Sequence, residues 1–141
     1  MKTNQYHFTH TSYKRINEIG VDINKPVICS GKLSYNQMLY SNKIGCLTVI
    51  YNVQALGKIY MPLIRKRQDY ALWLVILKRE KYVYGFDKIL SLYRVRSESI
   101  SNNKLEMLKW NWKLFREIEN FSFLKSLYYV FANIVTKIVN G

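Results

Sequence analysis

Arg65-Lys-Arg-Gln-Asp-Tyr-Ala-Leu-Trp-Leu74 drives a basic cluster into an apolar run, Tyr70 to Leu77, with one carboxylate, Asp69, at the junction. The pattern predicts a helix from about Gln68 to Arg79, placed after Pro62 and closed by Lys78 and Arg79, whose charges suit the carbonyl end of a helix dipole. Short β-type segments lie on both sides. Upstream, Cys46-Leu-Thr-Val-Ile-Tyr51 stands between Gly45 and Asn52 and reads as the clearest strand of the chain, buried on both faces. Downstream, Tyr82 to Tyr84 and Ile89 to Val95 read as two strands separated by Gly85. Strands interleaved with helices in this way mark an α/β unit.

Toward the N-terminus, residues 6–13 are aromatic and β-branched and read as a strand, followed by a helical turn to Ile19 that Gly20 ends. A short extended piece is expected around Val27 to Cys29. Ser34 has the side chain of an N-cap for a helix to Ser41, with Met38 and Leu39 facing inward. Toward the C-terminus, Ser97 to Asn103 is a polar connection, and everything beyond Lys104 is helical in pattern. In the second of these helices Phe121, Leu124, Leu127, Tyr128, Phe131, Ile134, Val135 and Ile138 recur at three- and four-residue steps. The chain therefore divides into an α/β part, 1–103, and a helical tail, 104–141.

With 141 residues, 49% of them hydrophobic and 15% aromatic, the chain has the size and composition of one folded domain. Lys and Arg number 22 against 9 acidic residues, a net charge of +13 that favours phosphate-bearing partners: a nucleotide-linked substrate, anionic lipid or nucleic acid. Cys29 and Cys46 show no CxxC spacing and have only His7 and His10 nearby, so they read as free thiols in a reducing compartment rather than a zinc site. Met1 to Tyr13 is polar and has no signal-peptide core, and no apolar stretch reaches the length of a membrane span, so a cytoplasmic protein is expected.

Asp69 has two compatible readings: an N-cap that accepts hydrogen bonds from first-turn amides, and a general base that takes a proton from an attacking hydroxyl. Arg65, Lys66 and Arg67 read as a solvated face, or as a phosphate grip next to that base. Tyr93-Arg-Val-Arg96 sets Arg94 and Arg96 on one side of a predicted strand end, a second place to hold anionic oxygens. Trp110 and Trp112, among Lys104, Lys109, Lys113 and Arg116, either stack on bases or lipid headgroups or pack on a neighbouring helix. Asp22, Asp69 and Asp87 are the only Asp residues, so the chain holds no Asp-x-Asp pair.

Taken in order, Phe8-Thr-His-Thr-Ser-Tyr13, Ser34-Tyr-Asn-Gln-Met-Leu39, Ile44-Gly-Cys-Leu-Thr-Val49, Met61-Pro, Arg67-Gln-Asp-Tyr-Ala-Leu-Trp-Leu74, Tyr93-Arg-Val-Arg96 and Ser99-Ile-Ser-Asn-Asn-Lys104 resemble the second half of bacterial family 2 glycosyltransferases of the O-antigen and capsule type. The resemblance implies part of a GT-A fold: a mixed sheet with flanking helices, then the helical tail. It implies Asp69 as the base of an inverting transfer, with Gln68 where the family has Glu. Gly45, Cys46 and Thr48 match the segment lining the acceptor pocket, Trp73 the aromatic position behind the base, and Tyr93 and Arg94 the strand end beside the site. Arg65, Arg67 and Arg96 are the phosphate-binding candidates.

The family's nucleotide-binding half, with its Asp-x-Asp motif and divalent Mg or Mn, has no counterpart in this sequence, which leaves an acceptor half: a truncated product, an internal start or one piece of a split pair. The expected partners are a nucleotide-sugar donor and a saccharide or lipid-linked acceptor in the complete enzyme, together with a separate nucleotide-binding half or a second copy. Residues 120–139 either contact the inner face of the cytoplasmic membrane or pack on the body or a dimer partner. A non-catalytic basic module on anionic membrane or nucleic acid is the alternative. A sheet divided between two halves is also expected to leave a strand edge unpaired.

Overall fold

The computed structural model describes residues 5–29, 31–96 and 104–139. A five-stranded mixed sheet forms the centre. Strand β1 (Phe8–Ile16) pairs along one edge with β5 (Val83–Arg94) in parallel, and along the other with β2 (Asp22–Val27) and β4 (Ile50–Tyr51), both antiparallel. Strand β3 (Gly31–Leu33) closes the far side of β5 antiparallel, but only over Val83 to Gly85. Past Gly85 the outer edge of β5 has no partner strand among the described residues, as expected for a divided sheet.

The residues of β1 explain its central position. Phe8, Thr9, His10, Ser12 and Ile16 are all buried, and the polar members are bonded where the structure gives them partners: Thr9 Oγ1 donates to the Ile50 carbonyl at 3.3 Å and Ser12 Oγ to Asp87 Oδ1 at 3.3 Å. After Ile16 the chain turns rather than starting the expected helical turn. Asn17 decides this: its side-chain oxygen accepts from the amides of Ile19 and Val21, and Gly20 adopts φ 90°, so the turn is closed locally. The extended piece expected around Val27 to Cys29 begins earlier, at Asp22.

Ser34 caps helix α1 (Tyr35–Tyr40) as expected, in a reciprocal capping box with Gln37, and Met38 and Leu39 are buried beneath it. The expected strand Cys46 to Tyr51 is mostly not one. Thr48 turns both its amide, at 3.0 Å, and its hydroxyl, at 2.7 Å, onto the Gly45 carbonyl, winding Cys46–Thr48 into a 3-10 turn and leaving only β4 in the sheet. Nor is the segment buried on both faces, since Leu47 and Ile50 are exposed. A short helix α2 (Val53–Leu56) follows, capped by the Asn52 side chain.

Helix α3 (Gln68–Leu77) matches its prediction to within two residues. Tyr70 to Leu74, Ile76 and Leu77 are all buried, as expected for a helix apolar on every side. The two strands expected around Gly85 are one strand, β5. Its irregularity falls after Gly85: Thr11 opposes Phe86 while Ser12 opposes Ile89, which leaves Asp87 and Lys88 in a bulge.

Helix α4 (Lys104–Lys113) runs into a π turn, Leu114–Ile118, and α5 (Phe123–Val139) completes the chain. These helices share the core with the rest: Leu114 and Phe115 are fully buried in the cluster that holds Phe8, Met38, Tyr70 and Val83. The polar connection expected between β5 and α4 lies outside the described residues.

Candidate functional site

The site is organised by the start of α3. Arg67 stands at its N-cap in a left-handed conformation, φ 68° and ψ 21°, with no side-chain cap, so the expected capping role does not belong to Asp69. Asp69 is the second residue of the helix and its first-turn carboxylate. It is half-buried, neither sealed in the core nor fully in water. Left-handed backbone is costly for a residue with a long side chain, about 1–2 kcal/mol. Here it reverses the chain so that Arg67 folds inward beside the helix start. The Arg67 guanidinium proton affinity is pulled down by burial, opposed by the charges of Asp69 and Tyr70, and its Nε meets no hydrogen-bond partner among the described residues.

Cys46 is an exposed residue of the 3-10 turn, and its thiol is pushed up first by desolvation and then by the negative charge of Asp69. Gly45, Cys46 and Thr48 form one turn packed beside β1 and β5. Gly45 is open on its other side to Tyr13: a Cβ there would meet Tyr13 Cε1 at 3.0 Å. Tyr13 in turn stands edge-on to Tyr93, ring centroids 6.2 Å apart. Through Tyr13, which sequence reasoning left out of the site, the structure joins Gly45 to Tyr93. The sequence signals for Tyr13 were an aromatic position in a β-branched strand and its place at the end of the first block of the family resemblance.

The remaining candidates separate. Gln68 is exposed at the first position of α3. Trp73, one turn beyond Asp69, is buried against Phe8 at 5.8 Å, and its Nε1 finds no partner among the described residues; it backs the site from the core. Arg94 donates through Nη1 to the carbonyls of Asn17, at 3.1 Å, and Glu18, at 2.6 Å, holding the β1–β2 turn. Arg96 lies exposed beyond the end of β5, so the two guanidinium groups do not share one strand face.

The basic run ahead of α3 is not a uniform solvated face. Arg65 is exposed, Arg67 is turned inward, and Lys66 binds Glu106 Oε2 of α4 at 2.6 Å, with only 16% of its side chain exposed. That bond, followed by the one from Trp110 Nε1, holds the Glu106 carboxyl below its ordinary range. Trp110 packs against the core and Trp112 stands edge-on to Phe123 at 5.2 Å, so this helix does not offer an open stacking surface.

The carboxylates are dispersed. Asp22 pairs with Lys14, Glu80 with His7, Glu106 with Lys66 and Glu119 with Lys78, and no group of three or more potential ligands that could hold a metal ion occurs among the described residues.

A first-turn carboxylate beside a small, partly polar turn, with an arginine folded in next to it, is suited to taking a proton from a hydroxyl near anionic oxygens. Comparison with known proteins shows what the chain is similar to. TuaG of Bacillus subtilis, named as a teichuronic acid biosynthesis glycosyltransferase, is 39% identical over 119 residues, 84% of this chain and 47% of TuaG. The homologues of this chain are bacterial glycosyltransferases. WfgD of Escherichia coli, named as a UDP-Glc:alpha-D-GlcNAc-diphosphoundecaprenol beta-1,3-glucosyltransferase, is 35% identical over 96% of this chain and 52% of its own. WfaP of Escherichia coli, with the same activity in its name, is 32% identical over 75% of this chain and 44% of its own. The chain thus spans about half the length of the curated relatives it matches. No family model and no solved structure matches it. The resemblance read from the ordered blocks is shown by these relatives, and the mixed α/β architecture agrees with it.

Proposed function

We propose that the chain is the acceptor side of a GT-A-type inverting glycosyltransferase of surface-polysaccharide synthesis, with Asp69 as general base. In the complete enzyme Asp69 takes the proton of an acceptor hydroxyl as its oxygen attacks the sugar's anomeric carbon and the nucleotide diphosphate departs. The position of Asp69 carries the reading: a half-buried carboxylate in the first turn of a buried helix, next to the inward Arg67 at its N-cap, in a chain whose homologues are glycosyltransferases. The acceptor is a saccharide or lipid-linked saccharide, seated against Gly45, Cys46 and the Tyr13–Tyr93 pair, with the buried Thr48 holding the turn through its bonds to the Gly45 carbonyl. Arg67 faces the departing diphosphate, a role its inward fold and unpartnered Nε support, while Arg65 and Arg96 contribute positive field.

The donor half comes from elsewhere, as a further segment or a separate chain. The described residues bring no group of three or more potential ligands together, and four of their carboxylates are held in separate ion pairs; in this reading Mg or Mn is held wholly by that other half. Placement at the inner face of the cytoplasmic membrane belongs to the same reading. No described helix is long and apolar enough to cross a membrane, and peripheral attachment suits a lipid-linked acceptor.

The test is a chimera in which this chain replaces the matching half of WfgD. Asp69→Asn should lower turnover by two to four orders of magnitude, the usual share of a general base, with donor binding unchanged. Near-native turnover in the variant would remove Asp69 from the mechanism.

A further inference from the structure

Helix α5 meets the body with a mixed side, Ser126 and Asn133 together with the partly buried Tyr129 and Val130. Its buried residues are Ser126 and Asn133, and Asn133 Nδ2 donates at 2.8 Å both to the Leu39 carbonyl of α1 and to the Tyr129 carbonyl. The apolar residues at three- and four-residue steps face out: Leu124 is 75% exposed, Phe131 64% and Ile138 76%, with Leu127, Tyr128 and Val135 between them also exposed. Roughly half of the helix circumference is thus an uninterrupted apolar strip directed away from the body. Water is a poor solvent for such a strip, so something covers it.

We infer that this strip lies in the headgroup boundary of an anionic bilayer, with α5 parallel to the membrane surface. No described helix is long and apolar enough to cross a membrane, and the 17 described residues of α5 make about 25 Å of helix. Charge selects lipid over a second copy of the chain. Lys125 and Lys137 border the strip, Lys109 and Lys113 belong to the preceding helix, and the whole chain carries +13. Two such surfaces repel each other, whereas anionic headgroups attract both. At the N-terminal end Trp112 against Phe123 supplies an aromatic pair of the kind that settles at a membrane boundary. An apolar face rimmed by lysines, opposite a side that carries Ser126 and Asn133, is the composition of an interfacial helix.

The inference deepens the membrane placement proposed above and is independent of the chemistry of Asp69. Flotation of the purified chain with vesicles of phosphatidylglycerol and phosphatidylcholine, against phosphatidylcholine alone, tests it with no sugar donor present. The native chain should float with the anionic vesicles and at least tenfold less with neutral ones. Leu127→Glu/Phe131→Glu should bind the anionic vesicles at least tenfold less while keeping the native circular dichroism; Leu124→Ser/Ile138→Ser, which adds no charge, should weaken binding in the same direction. Failure of the native chain to float, or equal flotation of native chain and variants, overturns the inference. So does a native dimer by light scattering that the same substitutions render monomeric while vesicles capture neither. None of these failures touches the Asp69 reading, which the WfgD chimera tests by turnover.

Discussion

Glu119, whose side chain is wholly closed to solvent, receives the ammonium of Lys78 at 2.8 Å. Lys78 is the C-cap of α3 and Glu119 closes the π turn, so the pair ties the far end of the site helix to the C-terminal helices. Tyr35 donates to the same Glu119 oxygen from α1. Removing one partner of a buried pair leaves an uncompensated charge, and water reaches the half-exposed Lys78, so Lys78→Met is expected to cost about 2–3 kcal/mol in urea denaturation. Lys78→Met/Glu119→Gln should cost less than Lys78→Met alone, because the stranded charge goes with it. A double variant less stable than the single one would show that the carboxylate does not depend on Lys78.

The pH dependence of stability has two limbs. Burial lowers the His10 pKa, so the folded state prefers neutral imidazole; the stability this contributes is present above the unfolded value near 6.5 and is lost as pH falls below it. Tyr35 and Tyr70 are raised, in each case first by burial, with Glu119's hydrogen bond next at Tyr35. Their stability is present below the unfolded tyrosine value near 10 and is lost as pH climbs past it. A plateau between about pH 6.5 and 9 is expected in chemical denaturation, because the Cys29 and Cys46 thiols, also raised first by burial, begin the alkaline loss ahead of the tyrosines. His10→Asn should flatten the acid limb and Tyr70→Phe the alkaline one, at the expense of the 2.6 Å bond from Tyr70 to the Met38 carbonyl.

Arg67 permits a clean measurement of backbone strain at the site. Arg67→Ala and Arg67→Gly both delete the inward guanidinium, but only glycine takes φ 68° without steric cost. Glycine should therefore be more stable than alanine here by about 1 kcal/mol. Both should weaken donor diphosphate binding equally in the WfgD chimera. Equal stability of the two variants would mean that the left-handed turn is not strained.

Much of this was legible in the chain. Ser34 announced its cap because a capping box is local, and the α3 run announced its helix because an all-apolar stretch of that length has few other ways to be buried. Asp69 stood out as an isolated carboxylate at that helix start. The strand expected at Cys46 to Tyr51 failed because Thr48 bonds back to Gly45, a competition that β-propensity does not register. The link from Gly45 through Tyr13 to Tyr93 depends on the parallel pairing of β1 with β5, which brings together residues 80 positions apart: Tyr13 opposes Ser91, two residues from Tyr93. The orientation of α5 was invisible for the same reason. Periodicity located the apolar strip, but the side facing the body was chosen by Asn133, whose partner Leu39 lies in another helix.

That choice can be checked at two positions. Asn133→Ala removes both 2.8 Å bonds and strands the buried Leu39 carbonyl, so it should cost about 1–3 kcal/mol in thermal or urea unfolding. Phe131→Ser, on the exposed strip, should change stability by no more than about 0.5 kcal/mol. A reversed order would mean that α5 is held by its apolar side.

Gly45 has ordinary backbone, φ −76°, so its lack of a side chain serves space rather than conformation. In Gly45→Ala the added methyl would stand 3.0 Å from Tyr13 Cε1 and 3.3 Å from Leu47 Cδ2, tight enough to displace the Tyr13 ring by a few tenths of an ångström. Tyr13 leans on Tyr93, so the shift reaches the wall assigned to the acceptor. In the WfgD chimera Gly45→Ala should raise KM for the acceptor several-fold and leave the affinity for the nucleotide-sugar unchanged, since the donor is assigned to the other half and to Arg67, which the added methyl does not meet. Tyr13→Leu, which removes the ring the methyl would strike, should lessen the effect of the alanine in the double variant. An unchanged acceptor KM in Gly45→Ala would place the acceptor away from this turn.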